Sequence, residues 1–504
     1  TGYACSNTSS CPIASSRMDG WVDEFRGWSE EEQVLALRYL FERCEFARLA
    51  SLKLLTSSGS CNGVLPEGGN AQEGKRVDFV GRLPKYICLN MLKFLDVNDL
   101  SRASCVSVSW RRRCVGTSVE SLWKSEFLRL YSASSYLQNA KQWDTTWREL
   151  CILQGQSMFG WVNGKVDKCV YTGHKDRVRH VRIRSGTIVS ASWDCSLRVI
   201  RLNDHAGGAR SKQVASHGGS VFGVWFDGQV AVTCSEDSTI KIWNVLEEVC
   251  VAELRGHQSA VYRVAMITRE ILLSCSRDFV GVWHWPSGKL LHKLRGHNHD
   301  VHRVQVSRSI IVTGSYDCTI RVWKYPSCES SWVSRPCHKG GVSCLHFEGN
   351  TLATGSAKGE VFIWDIETGL RKFAFPSRYH NDTTISCILV ANERVFSTSI
   401  LSLQKVDGII CIWDCVGGML LQKVVEPFHI NALKKDFGLV FCACSDGVLR
   451  VRQQGRNDFR VERELRHGEK PLYDVDVQGP RAVTCGLDKN VVVWNIHDLK
   501  SRDY

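Results

Sequence analysis

Residues 230–243, VAVTCSEDSTIKIW, decide the fold. A β-branched apolar run, a tight turn at Asp237 and a second apolar run closing on Trp243 read as two strands of an antiparallel sheet. The phrase returns at residues 310–323, IIVTGSYDCTIRVW, with its turn at Asp317 and its close at Trp323. Asp194, Asp278, Asp407, Asp446 and Asp488 mark further copies, spaced 39 to 43 residues apart except for a double step of 90 from Asp317 to Asp407. A period of about 40 to 45 with this phrase is the signature of four-stranded propeller blades.

A histidine precedes each unit, at His174, His217, His257, His297, His338, His380, His429 and His467, which divides the chain from residue 165 onward into eight units of about 42 residues. Eight blades are therefore expected. In each, the histidine, a Ser or Thr on a middle strand, the turn aspartate and the strand Trp can form a buried hydrogen-bond chain, since such groups are costly unless paired. The copies lapse in places. Blade one has Ile200 for Trp, blade three is one residue short between Asp278 and Trp283, blade five has Lys358 for Asp, and blade six is interrupted at 401–405. Blade seven has Arg452 for Trp, so a seven-bladed ring is the alternative. The last unit lacks an outer strand after Val491-Val492-Val493-Trp494; Lys168-Cys169-Val170-Tyr171, similar to Val249-Cys250-Val251-Ala252, is predicted to supply it and close the ring.

With 43% hydrophobic residues and 23% charged ones, 504 residues can bury several cores, and wholesale disorder is excluded. The net charge of +12 is spread along the chain, so composition gives no support for nucleic-acid binding. No apolar run approaches the roughly 20 residues of a membrane helix. The 23 cysteines fall mostly in expected strands, as small apolar residues of a reducing compartment, which points to the cytoplasm or nucleus. Cys442-Ala443-Cys444 and the Cys411, Cys415 pair read as structural thiols, so neither metal nor cofactor is expected. No nucleophile elbow or glycine-rich phosphate loop appears in context, and a non-enzyme is expected.

Ahead of the repeats, residues 1–20 are small and polar and read as disordered, and 56–74, rich in Gly, Ser and Asn, as a flexible insertion. Between them, within 21–55, a capping box at Ser29 and Glu32 opens a predicted helix with a stripe of Val34, Leu37, Phe41 and Cys44. Residues 75–130 read as short helices in an orthogonal bundle, starting near Leu83-Pro84 and ending with Trp110 and Trp123. Residues 131–160 read as a helical connector and 161–504 as the propeller, giving a multidomain α plus all-β chain.

Asp78-Phe79, Leu83-Pro84-Lys85, Leu92-Lys93-Phe94-Leu95-Asp96, Asp99-Leu100, Val106, Trp110-Arg111 and Leu122-Trp123 fall at F-box spacing. Followed by a connector and a propeller, the chain resembles the F-box/WD-repeat substrate receptors of cullin-based ubiquitin ligases. Tyr86 departs from the acidic residue usual in that family. The resemblance implies that Leu83, Pro84, Ile87, Leu92, Leu95, Val106 and Trp110 face or support a Skp-type adaptor, the alternative being bundle core. It also implies that Val34, Leu37, Phe41 and Cys44 form the dimerisation helix of phosphodegron-binding members; packing against the F-box is the alternative. A pure WD-repeat scaffold is the competing function.

The histidine loops and aspartate turns must share one rim, because the hydrogen-bond chain joins them. Just past each entry loop the exposed position reads Arg179, Phe222, Tyr262, His302, Ser343, Ser386, Asn431 and Tyr473. The residue before the turn aspartate reads Trp193, Glu236, Arg277 and Tyr316 in blades one to four. Arg179, Trp193, Tyr262, Arg277, His302, Tyr316 and Tyr473 are thus the candidates for binding substrate peptides, with the resemblance pointing to Arg179 and Arg277 as phosphate readers.

Overall fold

The computed structural model describes Leu92, Arg112, Cys114 and residues 119–131, 146–202, 210–307, 309–334, 338–391, 393–400, 408–454 and 459–496. The chain divides into one compact unit of residues 1–132 and 142–155 and a second of 133–141 and 156–504. In the first, the helix Glu120–Tyr131 buries Trp123, whose indole donates to the Cys114 carbonyl at 2.8 Å. The helix Trp147–Asn163 starts on a capping box: Thr146 Oγ1 accepts from the Glu149 amide (3.2 Å) and Glu149 Oε2 from the Thr146 amide (2.9 Å). Leu92 is helical and buried; Ser29 and Glu32 lie outside the described residues. Among the described residues no helix is long and apolar enough to cross a membrane.

The second unit holds eight four-stranded antiparallel sheets, and the eight-bladed reading stands. The innermost strands begin at Val178, Val221, Val261, Val301, Val342, Ile385, Ile430 and Leu472, and each packs on the next around a closed circle. The strand Val166–Tyr171 pairs with Val491–Ile496 (Cys169 opposite Val493) as the outer strand of blade eight, which shields that strand's edge. Eight apolar clusters fill the eight gaps between neighbouring blades, so no blade owns its core alone. In the gap between blades seven and eight, Trp161 is fully buried, edge-on to Phe441 at 5.1 Å.

Blade two shows the polar chain complete. His217 bonds Asp237 (3.0 Å) through Nδ1 and Thr233 (2.7 Å) through Nε2, and Trp243 donates to the same threonine hydroxyl at 2.9 Å. Asp237 also accepts from the Gly218 amide (2.8 Å) and the Thr239 amide (2.9 Å), so one carboxylate fastens the entry loop to the turn. Blade four repeats this, and blade three does too despite its short turn, with Phe279 stacked 4.3 Å from His257; blade eight closes the same chain with the ring turned over, His467 Nδ1 on Thr484 (2.7 Å) and Nε2 on Asp488 (3.3 Å).

In blade five Lys358 is indeed at the aspartate position, but Glu360 supplies the carboxylate from two residues on. It accepts from the Lys339 amide at 2.7 Å and faces His338 at 3.5 Å. In blade six His380 bonds Ser397 (2.8 Å) and Ser399 (2.9 Å); Asp407 lies outside the described residues. Blade seven forms a full sheet around Arg452, which is 2% exposed, paired with Glu426 at 2.5 Å and laid over the Phe459 ring.

Candidate functional site

Every innermost strand carries a β-bulge at its start, between its first and third residues. The extra residue leaves the ladder and its side chain is re-aimed. It is Arg179, Phe222, Tyr262, His302, Ser343, Ser386, Asn431 or Tyr473, the positions that spacing alone assigned to the rim. A second row joins the first through the backbone: the Trp193 amide donates to the Arg177 carbonyl (3.1 Å) and the Tyr316 amide to the Asp300 carbonyl (3.1 Å). Residues preceding the turn aspartates therefore stand beside the entry loops.

On one side of the ring these two rows make a continuous line of aromatic side chains. Arg177 lies over Trp193 (4.3 Å), Trp193 is edge-on to Phe222 (6.3 Å), and Phe222 stacks on Tyr262 (5.8 Å). Tyr262 meets His302 (4.2 Å), and His302 is edge-on to Tyr316 (4.7 Å). Arg179 lies over the Tyr473 ring at 5.0 Å. Burial, and then the Arg303 guanidinium, push His302 down to about 4, so its ring is neutral at pH 7. Tyr316 is 44% exposed at the end of the line, a rigid apolar surface with a polar tip.

The opposite side is built differently, and the expectation of an exposed position is corrected at Ser343. Ser343 donates to the Ile385 carbonyl, Ser386 to the Ile430 carbonyl and Asn431 to the Leu472 carbonyl, each at 2.7 Å. Each side chain is thus spent on the first residue of the next blade, and Ser343 is only 7% exposed. Blades five to seven use the bulge to tie the ring together, whereas blades eight and one to four present side chains from it.

Of the sequence candidates, Trp193, Tyr262, His302 and Tyr316 come together through Phe222. Arg179 and Tyr473 form a pair, and Arg277 is exposed, its charge acting on the Tyr262 hydroxyl. Sequence reasoning missed the residue one past the bulge, which is His180, Arg263, Arg303 and Asp474 in blades one, three, four and eight. The signal was there: charged residues stand where blades five to seven have Cys344, Cys387 and Ala432. Of the adaptor candidates, Leu83, Pro84, Ile87, Leu95, Val106 and Trp110 lie outside the described residues, as do Val34, Leu37, Phe41 and Cys44.

The family model for the WD domain, G-beta repeat, matches residues 167–201, 209–244, 288–324 and 329–365. Drosophila melanogaster F-box/WD repeat-containing protein 7 is 27% identical over 247 residues, 48% of this chain and 14% of that protein. Caenorhabditis elegans F-box/WD repeat-containing protein sel-10 is 29% identical over 105 residues, 21% of this chain and 18% of that protein. Human apoptotic protease-activating factor 1 is 29% identical over 136 residues, 26% of this chain and 11% of that protein. The chain thus spans less than a fifth of the length of each of these relatives. Among solved structures, the computationally designed Ika8 protein aligns with a TM-score of 0.56 at 22% identity, over 64% of this chain and 98% of Ika8, a likeness of fold alone. Repeats of the matched kind lie in a closed ring of eight four-stranded sheets, so the described residues form an eight-bladed β-propeller that contains WD repeats.

Proposed function

We propose that the chain is the substrate-recognition subunit of a Skp-cullin-F-box ubiquitin ligase. In this reading the segment 75–130 docks the Skp-type adaptor through Leu83, Pro84, Ile87, Leu92, Leu95, Val106 and Trp110, and the stripe Val34, Leu37, Phe41 and Cys44 pairs two copies. The rim captures substrate peptides through Arg179, Trp193, Tyr262, Arg277, His302, Tyr316 and Tyr473, phosphorylated peptides included. The observation that carries it is the aromatic line beside Arg179: rigid rings supply large contact area at little entropic cost, and an arginine fork suits an anionic side chain. The names of the fly and worm relatives support the F-box half. The human relative carries no such name, which supports a second reading, a WD-repeat scaffold without an adaptor.

A pull-down separates the two. Leu83→Ala/Pro84→Ala is expected to lose adaptor and cullin while retaining rim-bound peptides, and Tyr262→Ala/Arg179→Ala to do the reverse. Adaptor and cullin recovery by the first variant at the wild-type level would leave the scaffold reading standing.

A further inference from the structure

Just inside the rim, at the register position one past the bulge, the inner strands bring charged groups to the channel axis. Asp474 Oδ2 accepts from Arg182 Nη1 (2.6 Å), His180 Nδ1 (3.1 Å) and the Val181 amide (3.3 Å), so its charge is committed. Burial, and then the Arg263 guanidinium, push His180 down to about 3. The ring is therefore neutral, with its proton on Nδ1 toward Asp474, and its Nε2 accepts from Arg263 Nη1 at 2.6 Å. Blade two has Gly223 at this position, so no side chain stands between Arg263 of blade three and His180 of blade one.

Among the described residues, three guanidiniums here have no carboxylate within ion-pair distance. Arg263 donates to a neutral ring, Arg303 Nε donates to the Ser343 carbonyl (2.5 Å), and Arg179 lies on Tyr473. None of the three is in an ion pair with a carboxylate among the described residues. They feel one another: burial, and then Arg303, push Arg263 down to about 9, and burial pushes Arg179 down, with Tyr473 opposing and Arg303 adding to it; Asp474 offsets part of the effect on both. Like charges gathered in partial burial destabilise each other, and an arginine does not escape by losing its proton.

We propose that Arg179, Arg263 and Arg303 form a binding site for a small free multivalent oxyanion of the phosphate class, seated at the mouth of the central channel beneath the rim. Several forks converging on one compact tetrahedral ion give short, charge-assisted hydrogen bonds and remove the mutual repulsion. Asp474 and His180 are positioning residues: they hold Arg263 by its Nη1 and leave its remaining donors for the ligand. The site shares Arg179 with the proposed peptide surface and otherwise uses the second row, so Arg263→Gln and Arg303→Gln, which leave the peptide row intact, separate its failure from that of the ligase reading.

Isothermal titration of the full chain with inorganic pyrophosphate, ionic strength held constant with NaCl, tests it. One ion per chain is expected to bind, weakened at least about tenfold in Arg263→Gln and in Arg303→Gln but unchanged in Arg269→Gln, which alters an exposed hairpin loop elsewhere. Should either variant fold poorly, broadening of the pyrophosphate ³¹P resonance by wild-type protein, reversed by excess sulfate, reads the same site. No heat and no broadening would overturn the proposal. So would equal weakening by Arg269→Gln, or binding of a phosphoseryl tripeptide in the absence of pyrophosphate binding, which would place the chemistry in the rim.

Discussion

The ion pair between Arg452 of blade seven and Glu426, at the end of the outer strand of blade six, gives a sharp test of how the irregular repeat is held. Arg452 replaces the strand Trp, its side chain is 2% exposed and that of its partner Glu426 20% exposed, with 2.5 Å between them. Glu426→Ala leaves a buried guanidinium whose other contacts are the Phe459 carbonyl at 3.3 Å and the Phe459 ring. Removing one partner of a buried pair costs about 3–5 kcal/mol, whereas replacing the pair by apolar groups of similar volume is often close to neutral. Glu426→Ala should therefore cost about 3 kcal/mol, and Glu426→Ala/Arg452→Met appreciably less, although it changes more atoms. A multi-blade chain is unsuited to a single unfolding free energy, so the assay is native-state hydrogen exchange on the strands Val448–Gln454 and Phe459–Arg466. The single variant should lose roughly a hundredfold in protection there, and the double variant should recover at least about tenfold of it. A double variant exchanging as fast as Glu426→Ala would show that the guanidinium is held by its ring stacking and carbonyl bond, with Glu426 incidental.

Thr233→Val keeps shape and removes the hydroxyl shared by His217 Nε2 and Trp243 Nε1, leaving two buried polar atoms unpaired at about 1–3 kcal/mol each; blade-two amides should exchange faster and blade-five amides should not change. Asp237 titrates against burial, but the hydroxyl and amide of Thr239 and the Gly218 amide outweigh it and hold the carboxyl down at about 2. A depressed carboxyl stabilises the fold above its unfolded value near 4, and that contribution is lost as pH falls from about 4 to about 2. Asp237→Asn should accordingly lower blade-two protection at pH 7 and flatten its loss between pH 4 and pH 2; a wild-type slope in the variant would refute the assignment.

What was legible in the sequence was periodic, and what was not depended on reach. The eight recurring histidines, at the period of the aspartate turns, gave blade number, and the likeness of residues 168–171 to 249–252 gave ring closure, because both are properties of spacing. Glu360 was invisible to that reasoning. It occupies a position that is Thr239 in blade two and Thr319 in blade four, and only its longer side chain brings the carboxylate back to the entry loop. The short turn of blade three hid an intact polar chain for a similar reason, since Phe279 fills against His257 and lets Asp278 keep its bond. The candidate rim was legible as a row of positions but not as two different halves. Ser343, Ser386 and Asn431 are small or polar like many surface residues, and nothing in their spacing says that each donates to the neighbouring blade.

That difference explains how one repeating scaffold concentrates recognition on part of its rim. A bulge residue has two uses: to stitch one blade to the next, or to face a ligand. Across blades five to seven the short donors close inter-blade hydrogen bonds, with Cys344, Cys387 and Ala432 small enough behind them to let the inner strands approach. Across blades one to four, Arg179, Phe222, Tyr262 and His302 are too long for that bond and stack instead. The row behind them carries His180, Gly223, Arg263 and Arg303. The stitching that the long side chains give up is partly restored one row deeper, where Arg303 reaches the Ser343 carbonyl and Arg263 reaches His180 across an intervening blade. Binding surface and ring closure are thus supplied by adjacent residues of the same strands, so a substitution meant to silence the rim on blades three or four is best made at Tyr262 or His302, leaving the arginine beside it to hold the blades together.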